Sequence, residues 1–134
     1  ETGQATNTDA LEAVARALPA LWRAEKVQKK ARKAGFDWPD VSGALDKLSE
    51  ELEELKTAAA EGTNVAEELG DLLFSAVNAA RFLKVDPEDA LNGATDKFIG
   101  RFRKVEAQAA AQGKAMEDMG LEELDALWER AKET

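Results

Sequence analysis

Residues 41–55 read VSGALDKLSEELEEL, and the spacing of their apolar positions decides the fold. Val41, Leu45, Leu48, Leu52 and Leu55 step by four, three, four and three, which is the period of one helix face and not of a strand. Gly62 ends the run. Downstream, Asn64 followed by Glu67 resembles a capping box, and Val65, Leu69, Leu72, Leu73, Ala76, Val77, Ala80 and Leu83 predict a helix apolar over much of its circumference, expected to be central. Asp86-Pro87-Glu88-Asp89 starts a further helix that carries Leu91, Phe98, Phe102 and Val105 to about Gly113. A last short helix follows Gly120 through Leu121, Leu124, Leu127 and Trp128.

Upstream, Leu11, Val14, Leu18, Leu21 and Val27 fall near helical spacing, with Pro19 placed to start a second helix or kink the first. Trp22 is expected in the core. Gly35 closes the element, and Phe36-Asp37-Trp38-Pro39 is read as a turn. No stretch alternates as a half-buried strand would. The expected fold is therefore all-α, an antiparallel bundle of four to five helices over residues 9–134, behind a flexible polar tail over residues 1–8.

The 134 residues contain no His, Cys or Tyr. That removes thiol and Ser-His-Asp nucleophiles, Cys/His zinc sites and the Glu-x-x-His di-iron pattern. Eighteen basic against 27 acidic residues give a net charge of −9, opposite to the footprint of a protein held on nucleic-acid backbone. No apolar run approaches the roughly 18 to 20 residues of a spanning helix. No nucleic-acid polymer and no membrane are expected as partners, and a cytoplasmic location suits the missing cysteines.

Two acidic stripes stand out. Lys47, Glu51 and Glu54 flank the leucines on one side of their helix, and Glu68, Asp71, Ser75 and Asn78 repeat steps of three, four and three on the next. Carboxylates facing an apolar helix are costly unless paired or metal-bound. Antiparallel packing would bring Glu51 and Glu54 against Glu68 and Asp71, and an all-oxygen set selects Mg²⁺ or Mn²⁺, which shares its shell with phosphates. Lys97, Arg101 and Lys104, at i, i+4 and i+7, could hold phosphate oxygens. Each feature also has a plainer reading: Glu50-Glu51-Leu52-Glu53-Glu54 as a solvated helix face, the basic stripe as surface charge, Trp38 and Trp128 as packing anchors. Asn78, in mid-helix, either bonds a neighbouring helix or reads a ligand.

Glu50-Glu51-Leu52-Glu53-Glu54 and Glu68-Leu69-Gly70-Asp71 resemble the E-E-x-x-E and E-x-x-D signature of the MazG-type, all-α nucleoside triphosphate pyrophosphohydrolases. The likeness extends to Gly35-Phe36-Asp37-Trp38, Asn78, Lys97-Phe98, Arg101-Phe102 and Trp128, and covers about Ala17 to Lys132. It implies Mg²⁺-dependent hydrolysis of a nucleoside triphosphate to monophosphate and pyrophosphate, a nucleotide-pool cleaning role, and Mn²⁺ as a substitute ion. Glu51, Glu54, Glu68 and Asp71 match the metal ligands and catalytic acids. Lys47, Lys97 and Arg101 match phosphate-holding residues, Trp128 one near the nucleotide, and Glu50 and Asn78 join the substrate-binding set. A homodimer or dimer of dimers is implied. With Glu1 at its start, the chain is expected to be the catalytic C-terminal domain of a longer bacterial protein, or else a stand-alone member. The alternatives are a related enzyme for a deoxyuridine or phosphoribosyl nucleotide, and a non-catalytic helical interaction module.

Overall fold

A computed structural model describes residues 6–133, and among them every regular element is helical. The helices are α1 (Asn7–Glu12), α2 (Ala20–Lys33), α3 (Val41–Glu61), α4 (Val65–Phe82), α5 (Pro87–Ala111) and α6 (Leu121–Lys132), with a 3₁₀ turn at Met116–Asp118. Six described helices replace the four to five expected. Pro19 begins α2 rather than kinking a longer helix, and α1 starts inside the segment read as a tail. Thr6 and Asp9 cap each other's backbone N–H groups at 3.0 and 2.9 Å, which gives Asn7 and Thr8 a helix start despite their polarity. The rest of the expected tail, residues 1–5, lies outside the described residues.

The chain divides into two compact units, the first ending at Glu88 and the second beginning at Asp89. In the first, α3 and α4 form a helical hairpin, α2 packs on α4, and α1 packs on α2. The hairpin turn is short because Gly62 (φ 73°) and Asn64 (φ 58°) both adopt the left-handed conformation. Gly62 N–H and Thr63 N–H both donate to Ala58 O, closing α3. Asn64 makes no side-chain cap, so the expected capping box with Glu67 is absent: the left-handed backbone that the turn needs replaces the extended one that capping needs. Asp40 caps α3 through Ser42 N–H at 3.0 Å.

Polar contacts tie elements of this unit together. Gln28 Nε2 donates to Phe74 O at 2.9 Å, joining α2 to α4. Trp22 Nε1 donates to Asp86 Oδ1 at 2.8 Å, and the same oxygen accepts Glu88 N–H to cap α5. Trp22 is therefore half-buried rather than in the core, since its indole edge reaches a helix end. The buried apolar residues are small or β-branched: Val14, Ala44, Ala58, Val77 and Ala79. Of the leucine stripe on α3, Leu48 and Leu55 are half-buried while Leu45 and Leu52 are exposed, as are Leu69, Leu73 and Phe74 on α4. The helix expected to be central keeps an uncovered apolar side.

In the second unit, Val105 and Ala109 of α5 pack with Met119, Leu127 and Ala131, and Trp128 lies against this cluster. No helix among the described residues is long and apolar enough to cross a membrane.

Candidate metal and nucleotide site

Helical spacing puts Glu51 and Glu54 on one side of α3, and Glu68 and Asp71 on one side of α4; the three-residue turn then turns the two stripes toward each other. One carboxylate oxygen from each of Glu51, Glu68 and Asp71 lies within 4.8 Å of the others. Glu51 is only 5% exposed, Glu68 is half-buried and Asp71 is exposed, so the group runs from the protein interior to water. Lys47 reaches Glu51 Oε1 at 3.1 Å from one turn back on α3. That ammonium group, with a further hydrogen bond from Glu54, holds the Glu51 carboxyl below its ordinary value. Glu54 is pushed the other way, by its hydrogen bond to Glu51, the negative charge of Glu51, burial and the charge of Glu68. The site thus concentrates negative charge that Lys47 only partly offsets.

The donor chemistry fits a hard divalent cation. Glu51 Oε2 and Glu68 Oε2 are buried and meet no hydrogen-bond donor, a costly state for two carboxylate oxygens unless a cation takes them up. All the ligands on offer are oxygens, which suits Mg²⁺ or Mn²⁺. An open groove of about 320 Å³ lies alongside, lined by Glu54, Glu68, Thr57, Glu61 and Thr63 among others.

The remaining expected residues are distributed as follows. Glu50 is exposed on α3, outside the group of three acids. Asn78 is half-buried on α4, and its Oδ1 accepts from Arg81 Nε at 3.2 Å and Nη2 at 2.6 Å. Of the two alternatives for Asn78, a bond to a neighbouring helix is thereby excluded for its oxygen: its partner is on its own helix. Lys97, Arg101 and Trp128 belong to the second unit, where the Arg101 guanidinium sits 5.9 Å over the Trp128 ring and Phe98 lies 5.1 Å from it. Lys97 is exposed and Arg101 half-buried.

Sequence reasoning passed over Arg81. Its guanidinium forks onto Asp37, Nη1 to Oδ2 at 3.1 Å and Nη2 to Oδ1 at 2.6 Å, and Asp37 stands in the loop before α3. Arg81 holds the Asp37 carboxyl below its ordinary value, chiefly by this hydrogen bonding, and Arg32 adds a weaker pull from 3.6 Å.

The model of the MazG nucleotide pyrophosphohydrolase domain matches residues 26–106, a span that contains α3, α4 and all four acids. A Thermotoga maritima protein named nucleoside triphosphate pyrophosphohydrolase/pyrophosphatase MazG is 49% identical over 86% of this chain and 45% of its own length. The Escherichia coli K12 nucleoside triphosphate pyrophosphohydrolase is 40% identical over 98% of this chain and 52% of its own. An uncharacterized Bacillus subtilis protein, YabN, is 46% identical over 92% of this chain and 26% of its own. The chain thus spans about half the length of the first two relatives. By sequence match and by its helical hairpin of facing acids, the chain belongs to the MazG nucleotide pyrophosphohydrolase domain family.

Proposed function

We propose that this domain hydrolyses nucleoside triphosphates to monophosphate and pyrophosphate with Mg²⁺ as cofactor, clearing unwanted nucleotides from a cytoplasmic pool. The observation that carries the proposal is the convergence of Glu51, Glu68 and Asp71 with two buried, unpartnered carboxylate oxygens, in a chain 40–49% identical to relatives named for that activity. Mg²⁺, or Mn²⁺ in its place, is assigned to Glu51, Glu54, Glu68 and Asp71, where its charge would neutralise phosphate oxygens and make the α-phosphorus easier to attack.

The chain's own groups supply the rest. Water attacks the α-phosphorus, the bond from that phosphorus to the bridging oxygen breaks, and pyrophosphate leaves. The chain has no His, Cys or Tyr, and a carboxylate of the cluster is assigned as the proton acceptor for the water. Lys47 is held beside the acids by Glu51, which keeps its positive charge where phosphate oxygens would arrive. Lys97 and Arg101 are assigned to phosphates and Trp128 to the neighbourhood of the nucleotide; for Arg101 the support is its place beside Trp128, 5.9 Å over the ring. Glu50, exposed beside Lys47, is kept as an outer member of the binding set.

A homodimer, or a dimer of dimers, is proposed as the working assembly. Its support is the apolar side of the α3–α4 hairpin, where Leu45, Leu52, Leu69 and Leu73 are 42–50% exposed.

Incubation with each common ribo- and deoxyribonucleoside triphosphate, with and without Mg²⁺, tests the activity. Metal-dependent release of pyrophosphate and monophosphate is expected. Release of different fragments from a deoxyuridine diphosphate or phosphoribosyl substrate would move the reading to a related pyrophosphohydrolase, and no release from any nucleotide would favour an interaction module.

A further inference from the structure

Arg81 reaches two residues that lie far apart in the sequence, Asn78 one turn back on α4 and Asp37 in the loop before α3. A guanidinium has five N–H donors and no acceptor, so whatever Asn78 offers it must be the amide oxygen. The orientation of the Asn78 amide is thus fixed by chemistry: Oδ1 faces Arg81 through two hydrogen bonds, and the Nδ2 amide group faces away. No acceptor among the described residues bonds that nitrogen. The clamp is largely withdrawn from water, Arg81 being 8% and Asp37 14% exposed, and Arg81 also lies 4.7 Å over the Phe82 ring. A forked, desolvated ion pair holds its geometry closely.

Asn78 continues the stripe of Glu68, Asp71 and Ser75. It stands seven residues beyond Asp71 along α4, about 10 Å up the helix axis. That distance is of the order by which a base stands away from its own α-phosphate. We propose that Arg81 is a positioning residue that presents Asn78 to the nucleoside half of the substrate as a hydrogen-bond donor only. The assignment rests on the proposed hydrolase activity. Asn78 then favours nucleosides that turn a carbonyl oxygen, a ring nitrogen or a sugar oxygen toward it, and gives no advantage to an exocyclic amino group at the same place. Asp37 completes the device by neutralising Arg81 and by anchoring to α4 the loop that carries the exposed Phe36 and Trp38.

The test combines Asn78→Ala, Arg81→Lys and the double variant, with steady-state kinetics on the preferred triphosphate and calorimetric binding of its monophosphate and of pyrophosphate in Mg²⁺. Lysine keeps the charge for Asp37 but lacks the fork that holds the amide. Asn78→Ala is expected to raise KM and the monophosphate Kd about tenfold, to lower kcat by less than about threefold, and to leave pyrophosphate Kd in place. Arg81→Lys should move the same quantities in the same direction, and the double variant should be no worse than Asn78→Ala alone, because the two residues act through one contact. Equal weakening of monophosphate and pyrophosphate, additive effects of the two substitutions, or an Arg81→Lys variant that loses only thermal stability would each overturn the role. Failure of the wild type to cleave any triphosphate would sink the hydrolase reading instead; the monophosphate titrations still decide the Asn78 contact, and equal binding by wild type and Asn78→Ala would reject it.

Discussion

Lys47 Nζ lies 3.1 Å from Glu51 Oε1, while the other oxygen of the same carboxylate, buried, has no hydrogen-bond donor. One carboxylate is thus half satisfied by its own helix and half left for something else. Glu51→Gln keeps the size of the side chain but removes the charge. Pyrophosphate release by that variant should fall about a thousandfold or more, with the helical circular dichroism unchanged. Turnover within a few-fold of wild type would take Glu51 out of the site.

Asp71 is the exposed member of the group, so Asp71→Asn should be tolerated by the fold and relieve repulsion among the acids when no cation is present. Mg²⁺ at about 100 times its Kd should stabilise the wild type by about 2.7 kcal/mol, read as a rise in Tm, and the variant by much less. Equal rises in both proteins would argue against Asp71 as a ligand.

The Arg81 fork on Asp37 links stability to pH. Because folding lowers the Asp37 pKa, its stabilisation is fully present above the unfolded carboxylate's value, near pH 4, and fades as pH falls through the lower folded value. Asp37→Asn should cost about 2 kcal/mol at neutral pH. It should also flatten the loss of Tm below about pH 4. A variant whose acid limb parallels that of wild type would show that the pair does not carry this dependence.

Leu73 is 50% exposed on the uncovered side of α4, yet apolar. If that side is a dimer seat, Leu73→Asp should leave the helical spectrum intact and halve the mass seen by sedimentation equilibrium. A wild type that sediments as a monomer at all concentrations would refute the assembly.

How far the sequence revealed the site follows from the range of each interaction. The approach of Glu51 to Glu68 and Asp71 was legible because steps of three and four define a helix face, and a short connection forces neighbouring helices antiparallel; Glu54, expected with them, is exposed and outside that group of three. The Arg81 fork on Asp37 was not legible, since the two positions are 44 residues apart and no local period links them. The start of α1 was hidden for a different reason: Leu11 signalled a helix before Pro19, but the Thr6–Asp9 cap that begins it acts without any apolar period. Asn64 misled because a residue type that suits a cap also tolerates the left-handed backbone, and the hairpin needed the second property. The leucine stripe of α3 was read correctly as helical, but a single sequence carries no record of what covers its outer members.

Gly62, Thr63 and Asn64 are the whole connection between the two acid-bearing helices. With so little slack, the angular setting of one set of carboxylates against the other is written into the covalent chain. One residue inserted into α3 between Glu54 and Gly62 would swing Glu51 and Glu54 by about 100° about the helix axis relative to the turn, enough to aim them away from Glu68 and Asp71. Small as it is, the turn behaves as a gauge block for the site, and a change in its length would disturb the geometry of the acids as directly as replacing one of them.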